Sequence, residues 1–363
     1  MIDKGKISAL QVACMMYAIM IYTAVLAEPG ITAHYAGKDS WWSPFIASQV
    51  GFLTLYIVHK LHKLYPGLTV IQYGTHIVGK AAGKLLGLLF LGFYIHLNGL
   101  NTREYSEFIV AVFLPRTPII VVIATILLVA AYSVRGGVES VARSAFILTI
   151  TSIAIPMAIS LLLIPDLDFR YMFPMLEHGV MPMIRGAYVS QAWYSEVFLV
   201  SFYLPFVSDS KTGPRWGFIA ILTAMLILTY ANLVLLCLYN GDEASMMYPI
   251  LSAYRYISVG GYIENLESVI MTTWVMGNLV KISVFYYAIV LGTAQWLKLS
   301  DYRPLVLPMG LLLTATSIWG MPSSQSVTQF VWGTFPVYAT FMQTIVPLVL
   351  LLIAVTKLRA RRG

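Results

Sequence analysis

Charged residues are scarce in this sequence of 363 residues. Asp, Glu, Lys and Arg together make up 11% of it, whereas 59% of its residues are hydrophobic. Soluble domains carry about 25% charged residues, and the mean hydropathy of this chain is +0.78. A soluble globular protein is therefore excluded, and the composition predicts a polytopic all-α protein in a lipid bilayer.

Cysteine is nearly absent, and so are the motifs of common enzymes. Cys14 and Cys237 both lie in apolar stretches, which favours packing over a disulfide or a metal pair. The sequence has no Cys/His spacing for a metal, no phosphate-binding or dinucleotide-binding glycine motif, and no nucleophile and base at catalytic spacing. We therefore expect no metal, no cofactor, no catalytic residue and no enzyme activity.

Ten apolar stretches are each long enough to cross a bilayer as a helix, which takes about 20 residues. No cleavable signal pattern precedes the first of them. We number them spans one to ten and predict them at residues 7–34, 42–62, 83–113, 118–134, 140–164, 181–207, 214–239, 266–297, 304–320 and 333–356.

Basic residues concentrate in the loops on one side of these spans, which the positive-inside rule assigns to the cytoplasm. Both termini then lie in the cytoplasm, and acids such as Asp166 and Glu264 lie outside. Because the net charge of +7 follows membrane topology in this way, it does not indicate nucleic acid. The inner residues include Lys60, Lys63, Lys80, Lys84, Lys211 and the basic residues of the run 357–362.

Ten spans divide into two sets of five, which predicts a single transmembrane domain over residues 1–363 with inverted repeats at about 7–164 and 181–356. Such repeats place a midplane site where the first helix of each half is broken. Span one carries Glu28, Pro29 and Gly30 at membrane depth, and span six carries a polar interruption that includes Ser190 and Glu196. A simple proline kink in span one remains the alternative.

The outer segment 240–265 joins spans seven and eight and mixes aromatic residues, glycines and charges. This composition suits a short helix that lies on the outer surface and caps an outward vestibule. An ordinary connecting loop is the alternative.

Glu28, Glu196 and Lys281 are the ionisable residues closest to the middle of their spans. Charges at that depth are costly and usually face the bundle interior and pair. We predict that Lys281 neutralises Glu28 or Glu196 beside a ligand site, with a purely structural ion pair as the alternative. Arg103 and Glu107, four residues apart on span three, can form a structural salt bridge.

Polar and aromatic residues on the same spans can complete a small-molecule site. On span three, Tyr94, Leu97, Asn98 and Asn101 share one helix face, from which the amides can bond a ligand or a neighbouring helix. Aromatic rings at spans six and eight can wall an apolar pocket. A ligand with an amine and a carboxylate suits this arrangement. The rings are those of Trp193, Tyr194 and Phe285.

Several short motifs, in this order and spacing, make the chain resemble a known family. They include GKISALQ, AVLAEPG, TREYSEF, VRGGVESVAR and SEVFLVSFYLP. The chain resembles the B subunit of nutrient germinant receptors from endospore-forming bacteria, the GerAB-like spore permease family, within the amino acid–polyamine–organocation superfamily.

This resemblance implies a LeuT-type fold with broken first and sixth helices around a small-molecule site. It implies a germinant sensor in the spore inner membrane that works with an A-type membrane subunit and a C-type lipoprotein. The ligand-binding positions it implies are Tyr22, Thr23, Ala24, Val25, Leu97, Asn98, Gln191, Ala192, Trp193, Tyr194, Lys281 and Phe285. We add Glu28 and Glu196 from their depth in the spans.

Two features of this sequence depart from the superfamily pattern. Small residues, often glycines, usually occupy the break of the first helix, where this chain has residues 22–25, with the sequence Tyr-Thr-Ala-Val. Lys281 is not expected throughout the family. We interpret the chain as a receptor subunit, with a proton-coupled amino acid or amine transporter as the alternative and a ligand-gated channel as a weaker one.

Overall fold

The computed structural model describes residues 3–209, 212–258 and 266–360, and these are helical almost throughout. Residues 259–265 of the predicted outer segment lie outside the described residues, as do Lys211, Glu264 and the last residues of the basic C-terminal run. Within the described ranges the α-helices are α1 Ala9–Ala36, α2 Ser43–Leu64, α3 Val70–Val78, α4 Lys80–Val112, α5 Ile119–Arg135, α6 Val138–Ser160, α7 Met181–Ser195, α8 Gly213–Tyr239, α9 Pro249–Tyr256, α10 Glu267–Leu297, α11 Val306–Trp319, α12 Ser324–Gln329, α13 Phe335–Thr340 and α14 Val346–Ala360.

These helices reproduce the ten predicted spans. Spans one to five correspond to α1, α2, α4, α5 and α6, and spans seven to nine to α8, α10 and α11. Span six is α7 followed by a 3₁₀ helix at Glu196–Phe202, and span ten is α12 to α14, which are joined by π-helical turns. Six stretches of the described chain are long and apolar enough to cross a membrane by length and composition. The predicted all-α membrane fold is confirmed.

Span one is a continuous helix, which corrects the expectation of a break at residues 22–25. Ser8 and Gln11 start α1 with a capping box, in which the Ser8 hydroxyl accepts from the Gln11 amide and the Gln11 side chain accepts from the Ser8 amide. The residues at 22–25 include no glycine or proline. Pro29 removes one hydrogen-bond donor, and protein packs around the helix on all sides, so the helical backbone continues to Ala36.

The short helix α9 and a 3₁₀ turn at Asp242–Ser245 account for the described part of the outer segment. Tyr254 of α9 donates a hydrogen bond to the Pro156 carbonyl at 3.2 Å. The predicted short outer helix is therefore present at Pro249–Tyr256, packed against the helices below it.

At the end of the bundle that holds the N-terminus, the first residues are tied to several later elements. The Ala9 amide donates to the Asp209 carboxylate at 2.8 Å, and the Ile7 amide donates to the Phe206 carbonyl at 3.1 Å. The Tyr287 hydroxyl donates to the Asp3 carboxylate at 2.8 Å. These bonds hold the start of α1 against the end of span six and against α10.

Helices α1 and α10 approach closely where Gly277 faces the ring of Tyr22. A Cβ atom built at position 277 would overlap that ring. The ring itself is buried, and its hydroxyl is hydrogen-bonded to Ser152 on α6. Gly277 therefore sets the separation of the two helices at the centre of the bundle.

We predict that Gly277→Ala lowers the free energy of unfolding by about 1–3 kcal/mol, because the added methyl group overpacks a site whose neighbour cannot move freely. The measurement is thermal unfolding of the purified protein, followed by circular dichroism. Gly92→Ala is the matched control, because a Cβ at position 92 of α4 meets no atom within 4 Å. Equal unfolding midpoints for the two variants would show that the α1–α10 contact is not constrained.

Candidate functional site

A buried ion pair lies where span six changes from an α-helix to a 3₁₀ helix. The Lys281 ammonium lies 2.8 Å from Glu196 Oε2 and donates a second bond to Thr23 Oγ1, also at 2.8 Å. All three side chains are fully buried. The sequence left Glu28 and Glu196 open as partners of Lys281, and the structure pairs it with Glu196.

Further hydrogen bonds hold Thr23 and the residue that precedes Glu196. The Ser195 hydroxyl donates to the Ala192 carbonyl at 2.6 Å, at the residue where the α-helix ends. Gln343 of span ten donates to that hydroxyl at 3.2 Å. The indole of Trp193 donates to Thr23 Oγ1 at 3.0 Å, so α1, span six and α10 meet at one polar cluster.

Aromatic and apolar side chains surround the ammonium group. Lys281 Nζ lies 5.8 Å from the centroid of the Phe285 ring, and that ring packs edge-on against Tyr94 at 5.9 Å. Leu97 is fully buried on the same helix as Tyr94. Phe285, one of the predicted pocket residues, therefore forms an apolar wall beside the ammonium group together with Tyr94, whereas the predicted pocket between Phe285, Trp193 and Tyr194 stays a prediction.

Two buried acceptor atoms beside this wall have no hydrogen-bond partner among the described residues. They are Glu196 Oε1 and Asn98 Oδ1. The Asn98 amide group donates only a long bond, 3.4 Å, to the Ile282 carbonyl on α10. Unpartnered buried acceptors are costly, so these atoms can accept donors from a ligand or from ordered water.

Glu28 belongs to a different network on another face of α1. Ser190 Oγ donates to Glu28 Oε1 at 2.8 Å, and Asn232 Nδ2 donates to Oε2 at 3.0 Å. The Thr32 hydroxyl in turn donates to Asn232 Oδ1 at 2.7 Å. In the part of the chain that the structure describes, no cation forms a salt bridge with Glu28.

Asn232 is a polar residue of this network that the sequence reasoning missed. It lies in an apolar span, α8, and such an amide usually bonds another helix. That signal identifies a polar contact, but not the carboxylate with which it pairs.

Two of the predicted ligand positions lie at a cavity that neither Lys281 nor Glu196 lines. Tyr22 and Val25 line a separate cavity of about 70 Å³ between α1, α6, α8 and α10. Gln191 is half-buried, whereas Ala24, Ala192 and Tyr194 are fully buried. The predicted Arg103–Glu107 salt bridge is confirmed at 2.7 Å.

Comparisons with known proteins place these features in a family. Residues 6–325 match the sequence model of a family described as "Spore germination protein". Spore germination protein KB of Bacillus subtilis (strain 168) is 25% identical over 366 aligned residues, which cover 99% of this chain and 97% of that protein.

Two solved transporters share the fold. One is a Na⁺-coupled sialic acid symporter in its substrate-bound outward-open state, with a TM-score of 0.66 at 13% identity, covering 94% of this chain and 80% of that one. The other is Mhp1, a nucleobase-cation-symport-1 family transporter in a closed conformation with bromovinylhydantoin bound. Its TM-score is 0.63 at 11% identity, over 96% of this chain and 78% of that one. Both have the LeuT-type fold.

We predict that Lys281→Met lowers the free energy of unfolding by about 3–5 kcal/mol, because it leaves a buried carboxylate without its counter-charge. Adding Glu196→Gln to this variant should recover most of the lost stability, since the double variant buries no unpaired charge. The measurement is thermal unfolding of Lys281→Met, Glu196→Gln and the double variant in one detergent.

The exposed lysine at position 60 provides the control for this series. Lys60→Met should change stability by no more than about 0.5 kcal/mol. If the losses of Lys281→Met and Glu196→Gln simply add in the double variant, the two residues are not energetically coupled.

Proposed function

This chain belongs to the spore germination protein family, and on that premise we propose that it is the nutrient-sensing membrane subunit of a germinant receptor. It binds a small molecule with both an ammonium and a carboxylate group, such as an amino acid, at the Lys281–Glu196 pair. Binding changes the arrangement of the helices, and partner subunits respond to that change.

The buried ion pair is the observation that carries this proposal. It joins α1, span six and α10 through Thr23, Glu196 and Lys281, with two bonds of 2.8 Å. In the LeuT-type fold the first and sixth helices surround the substrate, so the pair occupies the region in which a ligand is expected. Glu196 Oε1 and Asn98 Oδ1, which lack partners in the described chain, offer further acceptors there.

The ion pair determines which ligands can enter. A molecule that separates Lys281 from Glu196 must satisfy both buried charges, since a buried charge without a partner is strongly destabilising. An amino acid meets this need, because its carboxylate can bind the Lys281 ammonium while its ammonium binds Glu196. A ligand with one charge leaves the other residue unpaired. The wall formed by Tyr94 and Phe285 then receives an apolar side chain.

Signalling follows from the same geometry. A ligand shifts a conformational equilibrium only if it binds one state more tightly than the other. Because the pair holds three helices together, a ligand that exchanges its contacts changes how those helices pack. We infer that an A-type membrane subunit and a C-type lipoprotein detect this change.

We place the chain in the spore inner membrane with both termini in the cytoplasm. The basic residues of the loops between spans support this orientation by the positive-inside rule. We also infer one transmembrane domain with inverted repeats at about 7–164 and 181–356, in agreement with the ten helical spans. No step in this proposal requires a catalytic residue, a cofactor or a metal.

Glu28 supports one alternative, a proton-coupled transporter of amino acids or amines. Its carboxylate is fully buried, and only neutral groups, Ser190 and Asn232, donate to it. Such a carboxylate is costly when ionised and can take up a proton during a transport cycle. The structural neighbours, which are named as cation-coupled or cation-symport transporters, are consistent with this reading.

For the receptor, we expect a deletion strain of the spore-forming host to lose germination in response to at least one amino acid. A gene copy with Lys281→Met and Glu196→Gln should fail to restore that response, although the protein still accumulates in the membrane. The wild-type copy and Lys60→Met should restore it. The measurement is germination of the complemented spores with single nutrients.

Analogues of the active nutrient test the need for both charges. The decarboxylated amine and the N-acetylated acid should each act at least about tenfold more weakly than the amino acid, since each satisfies only one buried charge. A double variant that germinates normally, or analogues of equal potency, would contradict binding at the ion pair.

For the transporter, we expect the protein in vesicles to take up the nutrient when a proton gradient is applied. Glu28→Gln should abolish the effect of the gradient, because the amide cannot exchange a proton at this site, while nutrient binding persists. Radiolabelled uptake into proteoliposomes measures this. Absence of uptake in vesicles that still bind the nutrient would leave the receptor as the function.

A further inference from the structure

A second cavity lies at the end of the bundle away from the N-terminal segment. Its volume is about 170 Å³, and α1, α4, the outer turn before α9 and span ten enclose it. Met247 and Ser324, both exposed, line its mouth. Ala27 of α1 lines its inner part, four residues beyond Thr23, which corresponds to about 6 Å along a helix.

Two acids line this cavity, and only one of them has a cationic partner. Glu107 is paired with Arg103 at 2.7 Å, and Arg103 also donates to the Pro322 carbonyl at 3.3 Å. Glu104 has no salt bridge or hydrogen bond from any side chain within the described ranges of the chain. The cavity therefore contains one carboxyl group that has no protein cation beside it among the described residues.

The other walls suit an organic cation. Tyr248 and Trp332 line the same cavity as Glu104, and aromatic faces attract ammonium groups. Thr328 adds a hydroxyl. A carboxylate beside aromatic rings in a small, partly apolar cavity favours a short alkylammonium over an anion or a neutral molecule of the same size.

Beyond this cavity, α4 carries a second buried polar group, the side-chain amide of Asn101. Leu97, Asn101 and Glu104 follow each other at intervals of four and three residues, so they share one face of α4. Asn101 is 2% exposed, and its Nδ2 has no hydrogen-bond partner among the residues that the structure describes. Polar groups thus extend along α4 from Glu104 to Asn101, one helical turn from Leu97.

We propose that the Glu104 cavity is an outer binding site for an alkylammonium group, separate from the Lys281–Glu196 pair. Glu104 accepts hydrogen bonds from the ammonium group, and Tyr248 and Trp332 contact both that group and the alkyl chain. The role of this site in admitting the amine end of a nutrient rests on the proposed function. The binding of an ammonium ion at Glu104 does not depend on it.

The experiment measures binding of n-propylammonium to the full-length protein in lipid nanodiscs by saturation-transfer NMR and by titration. Propionate and 1-propanol, which are similar in size but differ in charge, serve as control probes. Glu104→Gln should weaken n-propylammonium binding at least about tenfold, because the amide oxygen can still accept a hydrogen bond but no longer provides a negative charge for the ammonium group. Glu177→Gln, which changes an exposed outer acid, should leave it unchanged.

Trp332→Leu provides a second variant with the charge intact, and we expect it to weaken n-propylammonium severalfold. Thermal unfolding of each variant confirms that the protein is folded. Equal affinity of n-propylammonium in wild type and Glu104→Gln would overturn the proposal, as would equal binding of 1-propanol and n-propylammonium.

The double variant Lys281→Met/Glu196→Gln separates this inference from the proposed function. It should bind n-propylammonium like the wild type, because Glu104 and the aromatic walls are unchanged. If this variant loses n-propylammonium binding while Glu104→Gln keeps it, the ammonium ion binds at the central pair. That result would overturn the outer site. If the double variant instead still bound the nutrient, the proposed binding at the ion pair would be wrong, whereas the outer site at Glu104 would be unaffected.

Discussion

The ion pair between Lys281 and Glu196 is the interaction on which the centre of this protein depends. Both charges are removed from solvent, and the cost of desolvating them is offset only by close geometry and additional hydrogen bonds. Thr23 supplies one such bond to the ammonium. One oxygen of Glu196 still lacks a partner within the described chain. An incompletely satisfied pair of this kind is a poor stabilising device but a suitable receptor for a ligand that carries both charges.

Two contacts of α1 place Thr23 against that pair. Trp193 holds the Thr23 hydroxyl from one side, and the close approach of Gly277 to Tyr22 brings α10 against the same helix. A continuous α1 keeps these contacts in register along its length. The polar groups that a helix break would offer to a ligand are instead provided by side chains and by the change of helix type at Glu196.

Local patterns in the sequence were sufficient for several of these features. Span lengths depend on composition alone, and the Arg103–Glu107 pair follows from a spacing of four residues on one helix. The depth of Lys281 in its span indicated a buried ion pair. The choice between Glu28 and Glu196 could not be made, because it depends on how α1 and α10 are rotated against span six. Asn232 was missed for the same reason, since its partner is 204 residues away in the chain.

Three buried or half-buried carboxylates of this bundle differ in how their charge is balanced, and this difference suggests how their roles divide. Glu196 is paired with a lysine, so its charge is balanced inside the protein. Glu28 receives only neutral donors, which makes proton uptake the least costly way to relieve its charge. Glu104 lies in a cavity with an exposed mouth, where an ion from solution can balance it. The receptor that we propose uses the ion pair of Glu196 and can use the cavity of Glu104, whereas the alternative, a proton-coupled transporter, also requires proton exchange at Glu28. The state of Glu28 is therefore the feature that separates the two functions on this fold.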